Sequence, residues 1–308
     1  MSEKPKNELK LIKLLYDDDF KTLYLIKREG IPGFLFKKRI NVNYYTQNDC
    51  LKPALEEIYL TKKINHPNVL KIIEINKSSN NQYLYIEMEY CNGGSLEECL
   101  KKYMELYNHP FTEEIIQHLM KQIITALEEC NSNNILHGNL NINNILVNFE
   151  SEQDKKSLNM LKATIKIKNF GILKQSIKTV CIGPYDTQKT KQYGSPANDI
   201  LNMGIICYQM LMGRGLANKI NKNKNFCAKL DIDIGTYSLP IFISQELVLF
   251  IKAIFQKKSY TKFFYKYLLQ HDFLKENMKK FNKLNINAIP GLIEQKGAFI
   301  FIISEYKI

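Results

Sequence analysis

The segment from Ile135 to Leu146, ILHGNLNINNIL, concentrates residue types that could take part in chemistry. An apolar pair leads into His137, a Gly-Asn-Leu turn follows, and Asn144 stands directly before a second apolar pair. This pattern predicts a polar loop held between two buried anchors. Asn139 lies inside the loop and, being a neutral amide, cannot accept a proton as a carboxylate could. Taken alone, His137 would be a hydrogen-bonded core histidine and Asn144 one asparagine among many.

The first ninety residues predict mainly short strands around one helix. Five apolar runs are separated by polar turns and predict strands, at Leu11–Leu15, Thr22–Lys27, Gly33–Ile40, Leu70–Ile75 and Gln82–Glu89. Between the third and the fourth run, apolar residues recur at helical spacing from Leu51 to Ile64. The sequence therefore predicts a small antiparallel lobe with a single helix.

After Glu89 the chain becomes helical. CNGG at Cys91–Gly94 predicts a linker, and Ser95 with Glu98 predicts a capping box. A long amphipathic helix after Thr112 leads to the loop around His137. Residues 148–159 are polar and predict a surface insertion. The whole pattern indicates an α+β fold of two lobes.

Composition excludes several protein classes. The chain has 308 residues, 45% hydrophobic and 24% charged, which is ordinary for a globular protein. Its seven cysteines form no C-x-x-C pair, so we expect reduced thiols. The N-terminus has no apolar core typical of a secretory signal, and no apolar run is long enough for a membrane span. A cytoplasmic or otherwise intracellular, soluble protein is expected.

The net charge of +12 could indicate a nucleic-acid or anionic-membrane partner. The lysines are scattered, however, and arginine is scarce. The pattern favours a solvated lysine-rich surface, so no nucleic-acid partner is expected.

Taken together, these segments resemble the protein kinase family over roughly residues 11–274. The segment at 135–146 is similar to the family's catalytic loop H-R-D-L-x-x-x-N, with His137, Leu140 and Asn144 in place. Asp199 opens a helix similar to the family's D-I-W-S-L-G segment. The resemblance implies a small lobe at residues 1–90, a helical lobe at 91–274 that carries the insertion, and a tail at 275–308.

The same resemblance implies where a nucleotide pocket would lie. Lys38 and Glu57 match the family's ion pair between the third strand and the helix, with Lys37 as the rival for the lysine position. The other pocket positions comprise the gatekeeper, the hinge, the roof and the floor of the base slot, namely Met88, Glu89, Cys91, Phe36, Leu146 and the loop's Asn144. Phe36, or Leu35 in the rival register, is bulky where the family has a small residue, and we expect it to fill part of the adenine site.

Several positions of the family's chemistry carry other residues. Tyr16, Asp18 and Lys21 fall where the family has the three glycines of its phosphate-binding loop. Asn169 replaces the metal-binding Asp of D-F-G, and a neutral amide is a poor ligand for Mg²⁺ beside a carboxylate. In the catalytic loop, Gly138 and Asn139 replace the Arg and the catalytic Asp.

These departures lead to the expectation that the chain is not an enzyme. It would be a pseudokinase that acts as a protein-binding scaffold or allosteric partner, without a metal site and without a cofactor. The partner would be a protein, such as an active kinase or its substrate. Two alternatives remain open: an atypical or weak kinase that uses ATP and Mg²⁺, and a pseudokinase that keeps nucleotide as a structural ligand.

Overall fold

The computed structural model describes residues 9–19, 21–48, 51–170, 196–213, 244–255 and 264–275, apart from the side chains at positions 53, 57, 196 and 197. Within these residues, a strand-rich lobe is followed by a mainly helical lobe, so the predicted α+β, two-lobed fold is confirmed. None of the helices in the described ranges combines the length and the apolar character that crossing a membrane requires. Apart from Lys275, the tail predicted at 275–308 lies outside the described residues.

The first lobe is built on a five-stranded antiparallel sheet. Its strands are β1 (Leu9–Asp17), β2 (Lys21–Arg28), β3 (Leu35–Asn41), β4 (Ile72–Lys77) and β5 (Tyr83–Glu89). They are arranged in the order β1-β2-β3-β5-β4, which places β1 at one end of the sheet. The predicted hairpin between β1 and β2 closes through Asp18, whose Oδ1 accepts a hydrogen bond of 2.7 Å from the backbone N–H of Lys21.

Two helices pack against this sheet. The predicted helix is present as α2 (Leu51–Lys63), and a shorter helix, α1 (Val42–Gln47), precedes it. Helix α1 was not predicted, because six residues are too few to show a helical period. The side chain of Asn41 caps α1 by accepting from the N–H of Tyr44, and the burial of Tyr45 in the small-lobe core fixes it.

The second lobe contains six described helices and a small sheet. The helices are α3 (Leu96–Tyr107), α4 (Glu113–Ser132), α5 (Glu152–Lys156), α6 (Pro196–Met212), α7 (Gln245–Phe255) and α8 (Phe264–Leu269). The sheet pairs β7 (Ile145–Asn148) with β6 (Gly94–Ser95) on one side and β8 (Thr164–Ile167) on the other. The capping box predicted at α3 is present, with reciprocal hydrogen bonds of 3.2 and 3.0 Å between Ser95 and Glu98.

Helix α4 forms the centre of the main hydrophobic core. Its apolar residues recur at helical spacing, and Ile116, Leu119 and Ile123 are fully buried against the other helices and β8. Because the core is continuous around α4, the loop that follows this helix has a rigid base. That loop is the segment around His137.

The two lobes join where the chain enters β4. Val69 forms a bridge with Ile167 of β8, and the N–H of Leu70 donates to the carbonyl of Ile167 at 2.9 Å. The N–H of Ile167 donates in turn to the carbonyl of Asn68 at 2.8 Å. These backbone bonds connect the end of β8 in the second lobe to the small lobe. The space between the two lobes is called the cleft.

The polar segment at 148–159 is anchored at both of its ends. Phe149 is fully buried and Leu158 lies at the edge of the main core, while every residue of α5 between them is at least partly exposed. The hydroxyl of Tyr107 donates to the carbonyl of Ser157 at 2.7 Å, which fastens the segment to α3. The segment is therefore a folded excursion from the second lobe.

Candidate functional site

The loop around His137 is positioned by a carboxylate from α6. The two oxygens of Asp199 accept hydrogen bonds from the backbone N–H groups of His137, at 2.7 Å, and Gly138, at 2.9 Å. Asp199 is buried, and Gly138 adopts a φ of 71°, a conformation that glycine reaches without strain. The carboxylate thus fixes the backbone of the loop directly before Asn139.

His137 connects this loop to the end of β8. Its Nε2 lies 3.0 Å from the carbonyl oxygen of Lys168, its Nδ1 accepts from the N–H of Asn139 at 3.1 Å, and its ring lies 4.7 Å from that of Phe170. Since Nδ1 is an acceptor, Nε2 carries the proton and donates to Lys168. Both rings are completely buried, so His137 has a structural role between two segments.

Three asparagines form a connected set on the cleft side of the loop. The Nδ2 of Asn144 donates to the carbonyl of Asn139 at 2.8 Å, and its Oδ1 accepts from the Nδ2 of Asn169 at 2.9 Å. Asn169 adopts a φ of 61°, which asparagine tolerates better than most residues. The two amides at the family's metal positions are therefore bonded to each other.

This arrangement does not fit a magnesium ion. Mg²⁺ in proteins is held mainly by carboxylates, and the neutral amide of Asn169 stands where the family has its metal-binding carboxylate. The Oδ1 of Asn144, one of the two amide oxygens at these positions, already accepts a hydrogen from the Nδ2 of Asn169. Among the described residues, no group of three or more His, Cys, Asp or Glu side chains could hold a metal ion.

The structure places the two candidate lysines of β3 on opposite faces of the sheet. Lys37 lies on the outer face, where its Nζ is 3.2 Å from Glu87 and 4.9 Å above the ring of Tyr85. Lys38 therefore lies on the inner face, which also carries Phe36 and looks toward the second lobe. The side chain of Glu57, its predicted partner, lies outside the described residues.

The slot between the lobes is packed with apolar side chains at the hinge. Leu146 from β7 forms a buried cluster with Leu70 and Cys91, and both Phe36 and Met88 pack against it. Phe36 thus bridges from the roof of the slot to its floor. This is the space in which the resemblance to the kinase family implies an adenine ring.

The edges of this apolar cluster are fixed by the residues around it. The ring of Phe36 meets that of Tyr90 edge-on at 4.9 Å. The thiol of Cys91 is buried, and this burial raises its pKa to about 12, so it is not a reactive nucleophile. The carboxylate of Glu89 lies 2.8 Å from the Nζ of Lys166 on β8 and also accepts from the N–H of Lys71 at 2.6 Å.

The turn between β1 and β2 binds its own acidic side chains. Asp17 accepts from the hydroxyl of Thr22 at 2.7 Å and lies 3.7 Å from the guanidinium of Arg39. Asp18 caps the turn and accepts from the hydroxyl of Tyr16 at 2.6 Å. These contacts hold both carboxylates within the hairpin, where Asp18 occupies one of the three positions at which the family has glycine.

Lys168 belongs to the cleft but was not identified from the sequence. It directly precedes Asn169, and its partly buried side chain lies on the same face of the small sheet as Leu146, two residues after Lys166, which pairs with Leu146. Burial lowers the pKa of Lys168 below that of an ordinary lysine, and the charges of Lys38 and Lys21 lower it further. In the sequence, only its position directly before Asn-Phe-Gly marks Lys168. That position did not distinguish it from the many other lysines of the chain.

Comparisons with known proteins agree with this geometry. The family profile described as "Protein kinase domain" matches residues 22–274. The chain is 24% identical over 282 residues to the serine/threonine-protein kinase PLK4 of Danio rerio, an overlap covering 88% of this chain and 27% of that relative. It is 28% identical over 169 residues to the serine/threonine-protein kinase ATG1c of Arabidopsis thaliana, covering 52% and 21% respectively.

These relatives correct one expectation drawn from the sequence. The prediction that the chain is not an enzyme was wrong in the light of this comparison, because the curated proteins that it matches are serine/threonine protein kinases. The prediction weighed single side chains such as Asn139 and Asn169, whereas the similarity extends over the whole domain. The chain spans roughly a quarter of the length of these relatives.

Proposed function

Because the chain belongs to the protein kinase domain family, we propose that it is an atypical serine/threonine protein kinase that transfers phosphate slowly. The observation that carries the proposal is the assembled frame of the loop. Asp199 holds the backbone of His137 and Gly138, and His137 in turn holds the end of β8. A frame of this kind positions Asn139 and Asn144 at the cleft, where a substrate hydroxyl would have to lie.

The proposed reaction is transfer of a terminal phosphoryl group from ATP to a hydroxyl of a protein. The hydroxyl oxygen attacks the γ-phosphorus, the bond from that phosphorus to the β–γ bridging oxygen breaks, and ADP leaves. Lys38, on the inner face of β3, is the residue that would bind the phosphates. Since Asn139 cannot take up the proton, the proton passes to the transferred phosphate or to solvent.

The missing base determines the expected rate. A positioned general base typically contributes roughly 10² to 10⁴ to a rate, so turnover should be lower by about that factor. Binding of the nucleotide should be weak as well, because Phe36 packs where the base would lie. Slow turnover and weak binding together are what we mean by atypical.

A phosphate-transfer assay with two neighbouring lysine variants tests this proposal. The wild-type protein is incubated with labelled ATP and a general protein substrate, and incorporated phosphate is counted over hours. We expect slow incorporation that Lys38→Met abolishes, because the ammonium group in the cleft is lost. Lys37→Met is the matched control, since Lys37 lies on the outer face and pairs with Glu87. Its incorporation should equal that of the wild type.

Two outcomes would contradict the proposal. One is incorporation no greater than in a sample without this protein. The other is incorporation that survives in Lys38→Met, since a co-purified kinase would produce that result. Repeating the measurement after a second purification step distinguishes a contaminant from the protein itself.

A protein partner is a second part of the proposal, supported by strand β1. The strand is exposed along its whole length and is rich in leucine; Leu11 and Leu14 are 56% and 49% exposed. It stands at the end of the strand order, so one of its edges pairs with no other described strand. Exposed apolar edges of this kind favour association with another chain. We propose that a partner or substrate protein docks along β1.

A further inference from the structure

The two asparagines at the family's metal positions are hydrogen-bonded to each other. Asn144 and Asn169 are joined by the hydrogen bond from Nδ2 of Asn169 to Oδ1 of Asn144, and neither contributes a charge. Asn139 is neutral as well. A phosphate in this cleft would find no carboxylate at these positions to recruit a divalent cation, so its charge would have to be balanced in another way.

Lys168 lies next to these asparagines in a fixed position. Its N–H donates to the carbonyl of Asn144 at 2.9 Å, and its carbonyl accepts from Nε2 of His137 at 3.0 Å. These two bonds fix the backbone on both sides of the side chain. The first of them continues the ladder of β8, in which Lys166 lies opposite Leu146, so the partly buried side chain of Lys168 lies on the same face as Leu146. Lys38 lies on the face of β3 that carries Phe36, which packs on Leu146 from the other side of the cleft, and the charge of Lys38 acts on Lys168.

The charges around Lys168 are predominantly positive. The carboxylate of Glu98 acts in the opposite direction to Lys38, but it also accepts from the N–H of Ser95 at 3.0 Å as part of the cap of α3. Cys91 also acts on Lys168, but its thiol is neutral at pH 7, because burial raises its pKa to about 12. Like charges gathered in a partly buried cleft repel one another, and an anion relieves the repulsion.

We propose that Lys168 takes the place of the divalent cation in this cleft, so that Lys38 and Lys168 together bind the phosphates of a di- or triphosphate without a metal ion. The inference deepens the proposed kinase function and rests on it for the identity of the ligand. A lysine ammonium is a compact positive charge with three donors, which suits phosphate oxygens. The phosphate group itself needs no access to the slot that Phe36 closes.

Binding of inorganic pyrophosphate tests the inference on the complete protein. The dissociation constant is measured by calorimetry in EDTA and again in excess Mg²⁺. We expect saturable binding in EDTA that Mg²⁺ does not strengthen, since the protein offers the metal no ligands. Lys168→Gln should raise the dissociation constant in EDTA about tenfold or more, because one close charge is lost.

Lys37→Gln is the matched control for net charge. It removes the same charge from the outer face of β3, where Lys37 pairs with Glu87. Its dissociation constant should stay within about twofold of the wild type, because the charge lies on the far side of the sheet and is screened. Misfolding is excluded by thermal unfolding without ligand, in which Lys168→Gln should be at least as stable as the wild type, because a like-charge contact is relieved.

Parallel titrations with ADP and ATP identify the source of the phosphate. Equal affinity for pyrophosphate and ADP supports a phosphate site that makes no use of the base, and tighter ADP binding supports a nucleotide whose base displaces Phe36. The inference is overturned if binding requires Mg²⁺, or if Lys168→Gln binds like the wild type. It is also overturned if Lys37→Gln weakens binding as much as Lys168→Gln does.

The two proposals can fail separately. Metal-free pyrophosphate binding without any phosphate transfer would contradict the proposed kinase activity and leave this inference standing. Phosphate transfer that depends on Mg²⁺, in a protein whose pyrophosphate binding ignores Lys168, would do the reverse.

Discussion

The amide of Asn169 differs from a carboxylate by an NH₂ group in place of a charged oxygen, and that group determines the local structure. It donates to Asn144, whereas an aspartate would repel that same oxygen. Asparagine at position 169 therefore removes a charged metal ligand, and its amide also uses the Oδ1 of Asn144 as a hydrogen-bond acceptor. At the residue scale, the cleft combines hydrogen-bonded asparagines with Lys168, whose backbone N–H donates to the carbonyl of Asn144.

Phe36 gives a prediction at this scale. Phe36→Ala should tighten the binding of ATP about tenfold, because removing the ring opens the slot above Leu146 to the adenine. The measurement is titration with a fluorescent ATP analogue. Phe34→Ala is the matched control, since Phe34 is 44% exposed and lies outside the apolar cluster of the slot.

The alternative result for Phe36 is also informative. If Phe36→Ala keeps its fold and binds the analogue no better than Phe34→Ala, then the ring does not limit access to the slot. Unfolding in urea measures the fold in each variant. A partly buried aromatic such as Phe36 should cost less on truncation than the roughly 3 to 5 kcal/mol typical of a fully buried phenylalanine.

At the element scale, β1 and α4 differ in the burial of their apolar side chains. Helix α4 is buried along one side in the main core, while β1 is exposed along its whole length, although both are rich in apolar residues. Local pattern forms both elements, but among the described residues only α4 packs its apolar face into a core. A strand with exposed apolar side chains at the end of a sheet is suited to contact with another chain.

Two leucine variants test whether β1 docks a partner. Leu11→Lys and Leu14→Lys should each abolish capture of proteins from the native cell extract that bind the wild type, because a charge replaces apolar contact area. Leu106→Lys is the control, since Leu106 is also exposed but lies on α3 in the second lobe. Quantitative mass spectrometry of the captured proteins is the measurement.

The docking proposal predicts a difference between these variants. If the same proteins are captured by Leu11→Lys, Leu14→Lys and Leu106→Lys in equal amounts, then β1 is not the contact surface. Loss of capture in Leu106→Lys alone would place the contact on α3 instead.

At the scale of the whole molecule, two partly buried histidines link stability to pH. The Nδ1 of His66 accepts from the N–H of Asn68 at 3.1 Å, and the Nδ1 of His271 accepts from the N–H of Phe273 at 3.2 Å. Burial lowers the pKa of both histidines below the ordinary value of 6.5. Protonation would also make each Nδ1 a hydrogen-bond donor that faces the backbone N–H from which it now accepts.

The sign of the pH dependence follows from these lowered pKa values. The unfolded chain takes up protons near pH 6.5, before the folded chain does, so the stabilising contribution is complete above that pH. It is lost as the pH falls through the folded-state pKa values. Carboxylates with a lowered pKa, such as Glu74, lose their contribution to stability only below the ordinary glutamate pKa of 4.5. A change in stability between about pH 6.5 and pH 5 therefore reports on the histidines.

We therefore expect the urea midpoint to fall between pH 7 and pH 5 in the wild type. In the double variant His66→Asn, His271→Asn this fall should be clearly smaller, because an asparagine oxygen can accept the same N–H without titrating. His109→Asn is the control, since His109 is exposed. An equal fall in the double variant and the wild type would show that other groups cause the effect.

The sequence by itself determined the parts of the site that depend on near neighbours. The capping box at Ser95, the helical spacing of α4 and the loop around His137 are local patterns, and each is present where it was predicted. The two-lobed fold followed from the order of such elements. Helix α1 was missed because its formation depends on the burial of Tyr45 as much as on its own residues.

Only the tertiary structure decided which side chains share the cleft. The alternation of β3 placed Lys37 and Lys38 on opposite faces, but pairing with Glu87 of β5 was needed to show which face is the outer one. Lys168 and Asn169 contact Asn144 of the loop, which precedes them by about 25 residues along the chain. Burial, and the charge that accompanies it, arises when distant segments pack together, and no local pattern in a sequence records it.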